Sequence, residues 1–346
     1  MLYITFLAKK KGEREAFIDN LANSLVLITS ISISLLMINN ISSLEIGFIV
    51  FPFDILMLSF IIIFLPIFYL LIVREKRKIK KGKELSEDLV YNTLKELPLK
   101  YDIYRKITHL VVLAIILFYF TLGFLVQNFF VYLLDFLPGF VTDIFYSIYN
   151  IEKDEMIFTQ YLVVFLVGIS LIGLLTADFV RILKPQLYPL KPVNRILKEK
   201  ERYQMRLGPQ ISMAIGCFSI IILFGLFQPI GPLIICISMT MAIFGDIASN
   251  LFGRTIGSRY KNIRDTNKTY IGLFAGIFIS FISGIIILII LRRFFILSFL
   301  GFLLIPLIGA VIIGVLDYLD LEIDDNLSFN FVVTSILFFI AIAIAQ

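Results

Sequence analysis

The chain has 346 residues, 59% of them hydrophobic and 16% charged, with a formal net charge of +5. Charge that sparse cannot cover a soluble domain of this length, and a mean hydropathy of +0.94 fits helices solvated by lipid. The basic excess does not point to nucleic acid, because it collects in loops between apolar runs, as the positive-inside bias requires.

A hydrocarbon core of roughly 30 Å needs about 20 apolar residues per helix. By that measure about nine spans are predicted, near 22–40, 48–73, 107–127, 158–180, 209–227, 229–245, 271–291, 295–314 and 328–345. The expected fold is therefore an all-α polytopic membrane protein. No small-residue cleavage site precedes Lys9, Lys10, Lys11 and Arg14, which argues against a secretory signal. Phe129–Leu137 is apolar but stands apart from the third span across Gln127 and Asn128, and is expected to be interfacial or re-entrant. Cys217 and Cys236 lie in apolar runs and read as small buried hydrophobes.

Loop charge sets the orientation. Positive charge gathers before the first span, in the loop opening at Arg74, in the loop from Arg181 to Arg206, and in the loop from Arg254 to Lys268. The intervening segment 41–47 has no Lys or Arg, and 138–156 has one Lys among several acids. This alternation predicts a cytoplasmic N-terminus and an outer C-terminus. Arg292 and Arg293 fall on the expected outer side, so either they snorkel to the interface or the span count slips there.

Four polar segments carry candidate chemistry. In Gly245–Gly257, a continuing helix would put Asp246, Asn250, Gly253 and Gly257 on one face. Asp246 and Asn250 can then share a hard cation such as Mg²⁺, while the glycines admit a phosphate or another helix. The competing reading is a polar cap with small residues for helix packing. In Asn267–Gly272, Lys268, Thr269 and Gly272 at a helix start suit a phosphate, although Lys at a cytoplasmic helix end also serves topology. Arg105 and His109 are four residues apart and can address one anion; the competing reading makes His109, the only histidine, a solvated bystander. The acidic stretch from Asp317 to Asn326 offers Asp324, Asp325 and Asn326 as metal ligands, or as residues chosen for turn geometry. The expected topology brings all four to the cytoplasmic interface, and together they supply what phosphoryl transfer needs: carboxylates for a metal, cations and glycines.

The motifs R-K-x-x-H, G-D-x-x-A-x-x-x-G-R-x-x-G, N-K-T-x-x-G and D-D-N-L, at Arg105–His109, Gly245–Gly257, Asn267–Gly272 and Asp324–Leu327, resemble the CTP-dependent lipid-alcohol kinases. That family includes dolichol, phytol and CTP-dependent diacylglycerol kinases. Glu201 with Gly208-Pro-Gln also looks like the family's glutamate and glycine ahead of a span. The resemblance covers about residues 100–346, leaving 1–99 as a two-span region with a basic loop.

It implies transfer of the γ-phosphate of CTP to a membrane lipid alcohol, with dolichol or another polyprenol as first expectation. Asp246, His109 and Arg105 would be active-site members, with Asp246 taking part in metal and nucleotide binding. Lys106, Gly253, Arg254, Gly257, Lys268, Thr269 and Gly272 would lie toward the nucleotide, and Mg²⁺ would be the metal. The membrane would be a plasma or endoplasmic reticulum membrane. Ile271, where the family tends to have a glutamate or a small residue, and Asp317, where many members have glutamate, are departures. The alternatives are a phosphatidate cytidylyltransferase-like enzyme, whose K-D and H-G-G-x-x-D-R signature is missing here, and a transporter, which should carry ionisable residues near span centres.

Overall fold

The computed structural model describes residues 1–40, 50–81, 109–110, 113–114, 118–148, 155–191, 193, 197, 201, 204–257, 262–264, 266, 268–295 and 297–345. Among them the protein is all-α, with eight helices long and apolar enough to cross a membrane and a shorter apolar ninth, Pro209–Phe224. This is the architecture of an integral, multi-pass membrane protein.

In chain order the helices are α1 (Leu2–Lys10), α2 (Arg14–Asn40), α3 (Phe53–Lys80), and α4, a π-helical turn Phe118–Leu122 leading into Gly123–Asp135. They continue with α5 (Gly139–Ile148), α6 (Glu155–Leu183), α7 (Pro209–Phe224), α8 (Ile230–Thr255), α9 (Tyr270–Leu291) and α10 (Phe299–Leu319). The last, α11, runs through Asp325–Ser328, a π-helical turn Phe329–Val333 and Thr334–Ala345.

Lipid dictates which way each helix faces. α3 is apolar nearly all round and leaves Ile55, Leu58, Ile62, Ile63 and Leu70 exposed, so it sits at the rim. α2 reverses the pattern of a soluble helix. It buries Asp19, Asn20, Asn23, Ser24, Ser30 and Ser34 and exposes Leu25, Ile28, Ile33, Leu35 and Leu36. Apolar side chains lose nothing against lipid tails, whereas most of the polar groups turn inward to partners inside the bundle. Ser34 accordingly donates to the Ile222 carbonyl at 3.1 Å, and Asn23 Nδ2 to Ser212 Oγ at 3.1 Å, both on α7. α7 and α8 are buried over most of their length and form the centre. At about 1.5 Å per residue, the 16 residues of α7 span only about 24 Å, less than the bilayer core.

The helices alternate, so the starts of α2, α7, α9 and α11 and the ends of α3, α6, α8 and α10 share one end of the bundle. Hydrogen bonds and ion pairs tie them together there, among them Lys191 to Glu75 at 3.9 Å and the Gly208 N–H to Asp178 at 3.1 Å. Arg292 and Arg293 form a 3₁₀ turn at the other end, exposed, with the Arg293 guanidinium 4.6 Å from the Phe294 ring centre. The span count therefore does not slip at that point.

The described helices depart from the apolar runs at three points. The helix runs on through Gln127–Asn128 to Asp135, so Phe129–Leu137 is not a separate interfacial piece. Gln127 is buried in protein, where an amide does not force the helix to end. The apolar span at 229–245 belongs to a longer helix, Ile230–Thr255, which continues through Asp246, Asn250 and Gly253 but ends before Gly257, so Gly257 is not on that helical face. Finally α1, absent from the sequence reading, exposes Leu2, Tyr3 and Phe6 beside Lys9 and Lys10, the pattern of a helix lying at a membrane interface.

Candidate functional site

The α8–α9 crossing builds the floor of the site. A Cβ on Gly272 would stand 2.6 Å from the Ser249 carbonyl oxygen and 3.1 Å from Gly253 Cα; one on Gly276 would stand 3.1 Å from Ser249 Cβ. Thr269 is the N-cap of α9, its Oγ1 accepting from the Gly272 N–H at 3.1 Å, and its side chain packs into the space that Gly253 and Gly257 leave open. Helix packing thus accounts for the glycines and for Thr269 without a nucleotide. Gly272→Ala is expected to cost about 1–3 kcal/mol, because a backbone carbonyl must move to admit the methyl group. A thermal unfolding midpoint in detergent equal to that of wild type, with no nucleotide present, would contradict this.

Asp246, Asn250 and Gly253 lie along α8 as the expected helix requires. Asp246 stands nine residues before Thr255, about 14 Å from the helix end, and is buried within the protein. Asn250 Nδ2 donates to Asp246 Oδ1 at 2.8 Å and to its carbonyl at 2.9 Å. His109 is buried at 3% exposure, with Nδ1 3.8 Å from Asp246 Oδ2. The solvated-bystander reading of His109 is therefore wrong: it is buried, with its ring nitrogen facing the Asp246 carboxylate at a distance slightly longer than a hydrogen bond. Arg105 and Lys106 lie outside the described residues, as does Asn267. Arg254 points to an exposed position.

Lys268 gathers three acids. Its Nζ is 2.9 Å from Asp317 Oδ1, 2.9 Å from Asp320 Oδ1 and 3.4 Å from Asp325 Oδ2. Asp317 also accepts from Ser249 Oγ at 2.9 Å, which links this cluster to the α8 face that carries Asn250. Asp325 is within electrostatic reach of Asp246, Asp324 and Asp317. Asp324 is the N-cap of α11; its Oδ1 accepts from the Asn326 N–H at 2.9 Å and from Asn326 Nδ2 at 2.7 Å. That is the turn-geometry role for Asp324 and Asn326.

Burial pulls the Lys268 ammonium down, but Asp325 and then Asp317 raise it further, leaving it above its ordinary value of 10.5. A cation raised in the folded state contributes its full stability below its unfolded value and loses it as pH rises through the folded one. Lys268→Met should therefore lower the unfolding midpoint by the same margin from about pH 7 to pH 9, converging on wild type only above about pH 10. The cost is about 1–3 kcal/mol, discounted because the partners are partly exposed. A margin that shrinks between neutral pH and pH 9 would exclude this account.

Asp317, Asp320 and Ser249 were not singled out as site residues from the sequence. A signal for the two acids exists: carboxylates at a helix C-terminus oppose its dipole and call for a cation. Also unforeseen is a buried network beside the site. Arg181 Nε binds Asp178 Oδ1 at 2.5 Å, Arg181 Nη2 binds the Arg206 carbonyl at 2.7 Å, and Nη1 binds the Glu201 carbonyl. Asp178 Oδ2 takes the Gly208 N–H. This is the structural place of Glu201 and Gly208.

Among the described residues no group of three or more His, Cys, Asp or Glu is arranged to hold a metal by itself. Mg²⁺ commonly takes one or two carboxylates together with substrate phosphates and water. Asp246 and Asp325, mutually within electrostatic reach, fit that smaller donor set. Asn250 presents its amide nitrogen to Asp246, and Asp324 and Asn326 are engaged in the cap, so these three fit less well.

Fold and site together define a polytopic helical membrane protein with a carboxylate, histidine and lysine centre at one end of its bundle. Comparison with protein-family models, curated proteins and solved structures found no match to this chain.

Proposed function

We propose that the protein is a lipid-alcohol kinase, moving the γ-phosphate of a nucleoside triphosphate to the hydroxyl of a membrane lipid. The observation that carries this reading is convergence: His109 against Asp246, and Lys268 against Asp317 and Asp325, drawn from four distant sequence segments to one end of a lipid-solvated bundle. CTP as donor and a polyprenol such as dolichol as acceptor come from the motif resemblance, as does the cytoplasmic placement of the site from the loop charges.

Phosphoryl transfer depends mainly on positioning and charge stabilisation. Asp246 and Asp325 would hold Mg²⁺, which would supply neutralisation of the phosphate charge. Lys268, pre-positioned by its acids, supplies a fixed cation beside them. The lipid hydroxyl oxygen forms the new bond to phosphorus as the β–γ bridging bond breaks and the nucleoside diphosphate leaves. The hydroxyl proton passes to the Asp246–His109 pair, whose burial keeps bulk water from competing as acceptor. The burial of Asp246 suits a substrate that arrives laterally with its tail in the bilayer.

The test is purified protein in nanodiscs with γ- or α-labelled CTP or ATP and a panel of polyprenols, phytol, diacylglycerol and phosphatidic acid. Label from the γ position in a lipid, with diphosphate released, is the expected result. Pyrophosphate release with α-label in the lipid would indicate a cytidylyltransferase instead. No label in any lipid from either nucleotide would remove the proposal.

A further inference from the structure

Residues 1–99 lie outside the motif resemblance, and α2 looks from its sequence like a simple anchor. Its packed face is more specific than that. Glu13 Oε2 accepts from the Met205 N–H at 2.6 Å, and Asn20 donates to the Met205 carbonyl at 2.6 Å while accepting from the Leu207 N–H at 3.0 Å. Between them is Asp19, fully buried at 0% exposure. Its Oδ1 accepts from the Asp324 N–H at 2.7 Å, and its Oδ2 receives Arg206 Nε at 3.3 Å.

Asp324 is where this matters. It caps α11 with its side chain, but its own N–H needs an acceptor. In a capping box a Glu or Gln at the third helical position turns back to that N–H. Here the third position is Leu327, which is buried and has no acceptor to offer. Asp19 supplies the missing carboxylate from another helix. The turn also holds acids that repel one another, since Asp325 feels Asp246, Asp324 and Asp317. An untethered turn would relax away from its neighbours.

We propose that Asp19 is a positioning residue: it completes the α11 cap from outside the helix and so keeps Asp325 at Lys268 and opposite Asp246. Arg206 offsets the charge that Asp19 brings, and Arg206 is itself fixed because its carbonyl binds Arg181. The N-terminal helix is thereby part of the site's scaffold rather than an accessory to it.

Hydrogen–deuterium exchange of the full-length protein in nanodiscs tests this directly. In Asp19→Leu, close in size but without an acceptor, exchange over residues 323–328 should rise about tenfold; in Asp19→Asn, which keeps one acceptor oxygen, about threefold or less. Exchange along α8 and α9 should stay as in wild type. Should Asp19→Leu not give monodisperse protein, Asp19→Ala replaces it under the same criterion. Unchanged exchange at 323–328, or equal exchange in the acceptor-free and Asn variants, overturns the proposal. Only the kinetic consequence rests on the proposed phosphoryl transfer: kcat should fall in the same order, and an unaltered kcat in Asp19→Leu also overturns the positioning role. A wild type inactive toward every lipid alcohol removes the kinase reading and leaves the exchange result to decide Asp19 alone.

Discussion

Asp246→Asn is expected to abolish lipid phosphorylation, by about 10²–10³-fold or more, while leaving the bundle folded. The substitution is isosteric and leaves an oxygen for the Asn250 amide, which donates to Asp246 Oδ1 at 2.8 Å. What disappears is one negative charge next to His109 and within reach of Asp325. Stability should hold or rise slightly, since like charge around Asp325 is relieved. Activity should not survive, because that charge both holds the metal and polarises His109 in the proposed chemistry. Labelled transfer and thermal unfolding measured on the same preparation separate the two effects. Wild-type turnover in Asp246→Asn would end its assignment to the site.

The largest structural effect is expected at Arg181. Its side chain and that of Asp178 are each only 3% exposed, and together they hold the segment from Glu201 to Gly208. Arg181→Met would leave a buried carboxylate with one N–H donor and two carbonyls without their guanidinium. Breaking a buried pair from one side costs about 3–5 kcal/mol. Removing both charges, in Asp178→Asn with Arg181→Met, should recover a large part of that loss, because the penalty comes mainly from the orphaned charge. Unfolding midpoints of the wild type, both single variants and the double variant provide the cycle. A double variant less stable than Arg181→Met would refute the account. The same loss should raise exchange at residues 323–328, since Arg181 fixes the segment that carries Arg206 to Asp19.

The spans were legible because lipid imposes a simple rule: long apolar runs, with charge in alternate loops. Eight of the nine predicted spans correspond to seven of the long helices and Pro209–Phe224, while the third, 107–127, overlaps the helix Phe118–Asp135 only over 118–127. The helical face through Asp246, Asn250 and Gly253 was also readable from helix period alone, whereas Gly257 lies past the helix end at Thr255. What those residues do inside the fold was not. Gly253 and Gly272 could admit a phosphate or a helix, and the tertiary structure shows the close approach of α8 and α9 that uses their missing side chains. His109 could be solvated or buried, and only the neighbouring helices determine that it meets Asp246.

The sequence alone determined that this protein is a helical, multi-pass membrane protein and which segments concentrate polar chemistry, because both depend on local composition and period. The tertiary structure decided the partnerships. It joined Lys268 to Asp317, Asp320 and Asp325, and Asp19 to the Asp324 cap 305 residues away. Such contacts depend on which helices lie side by side, and lipid, which treats every apolar face alike, leaves that choice to buried polar pairs spread across the whole chain.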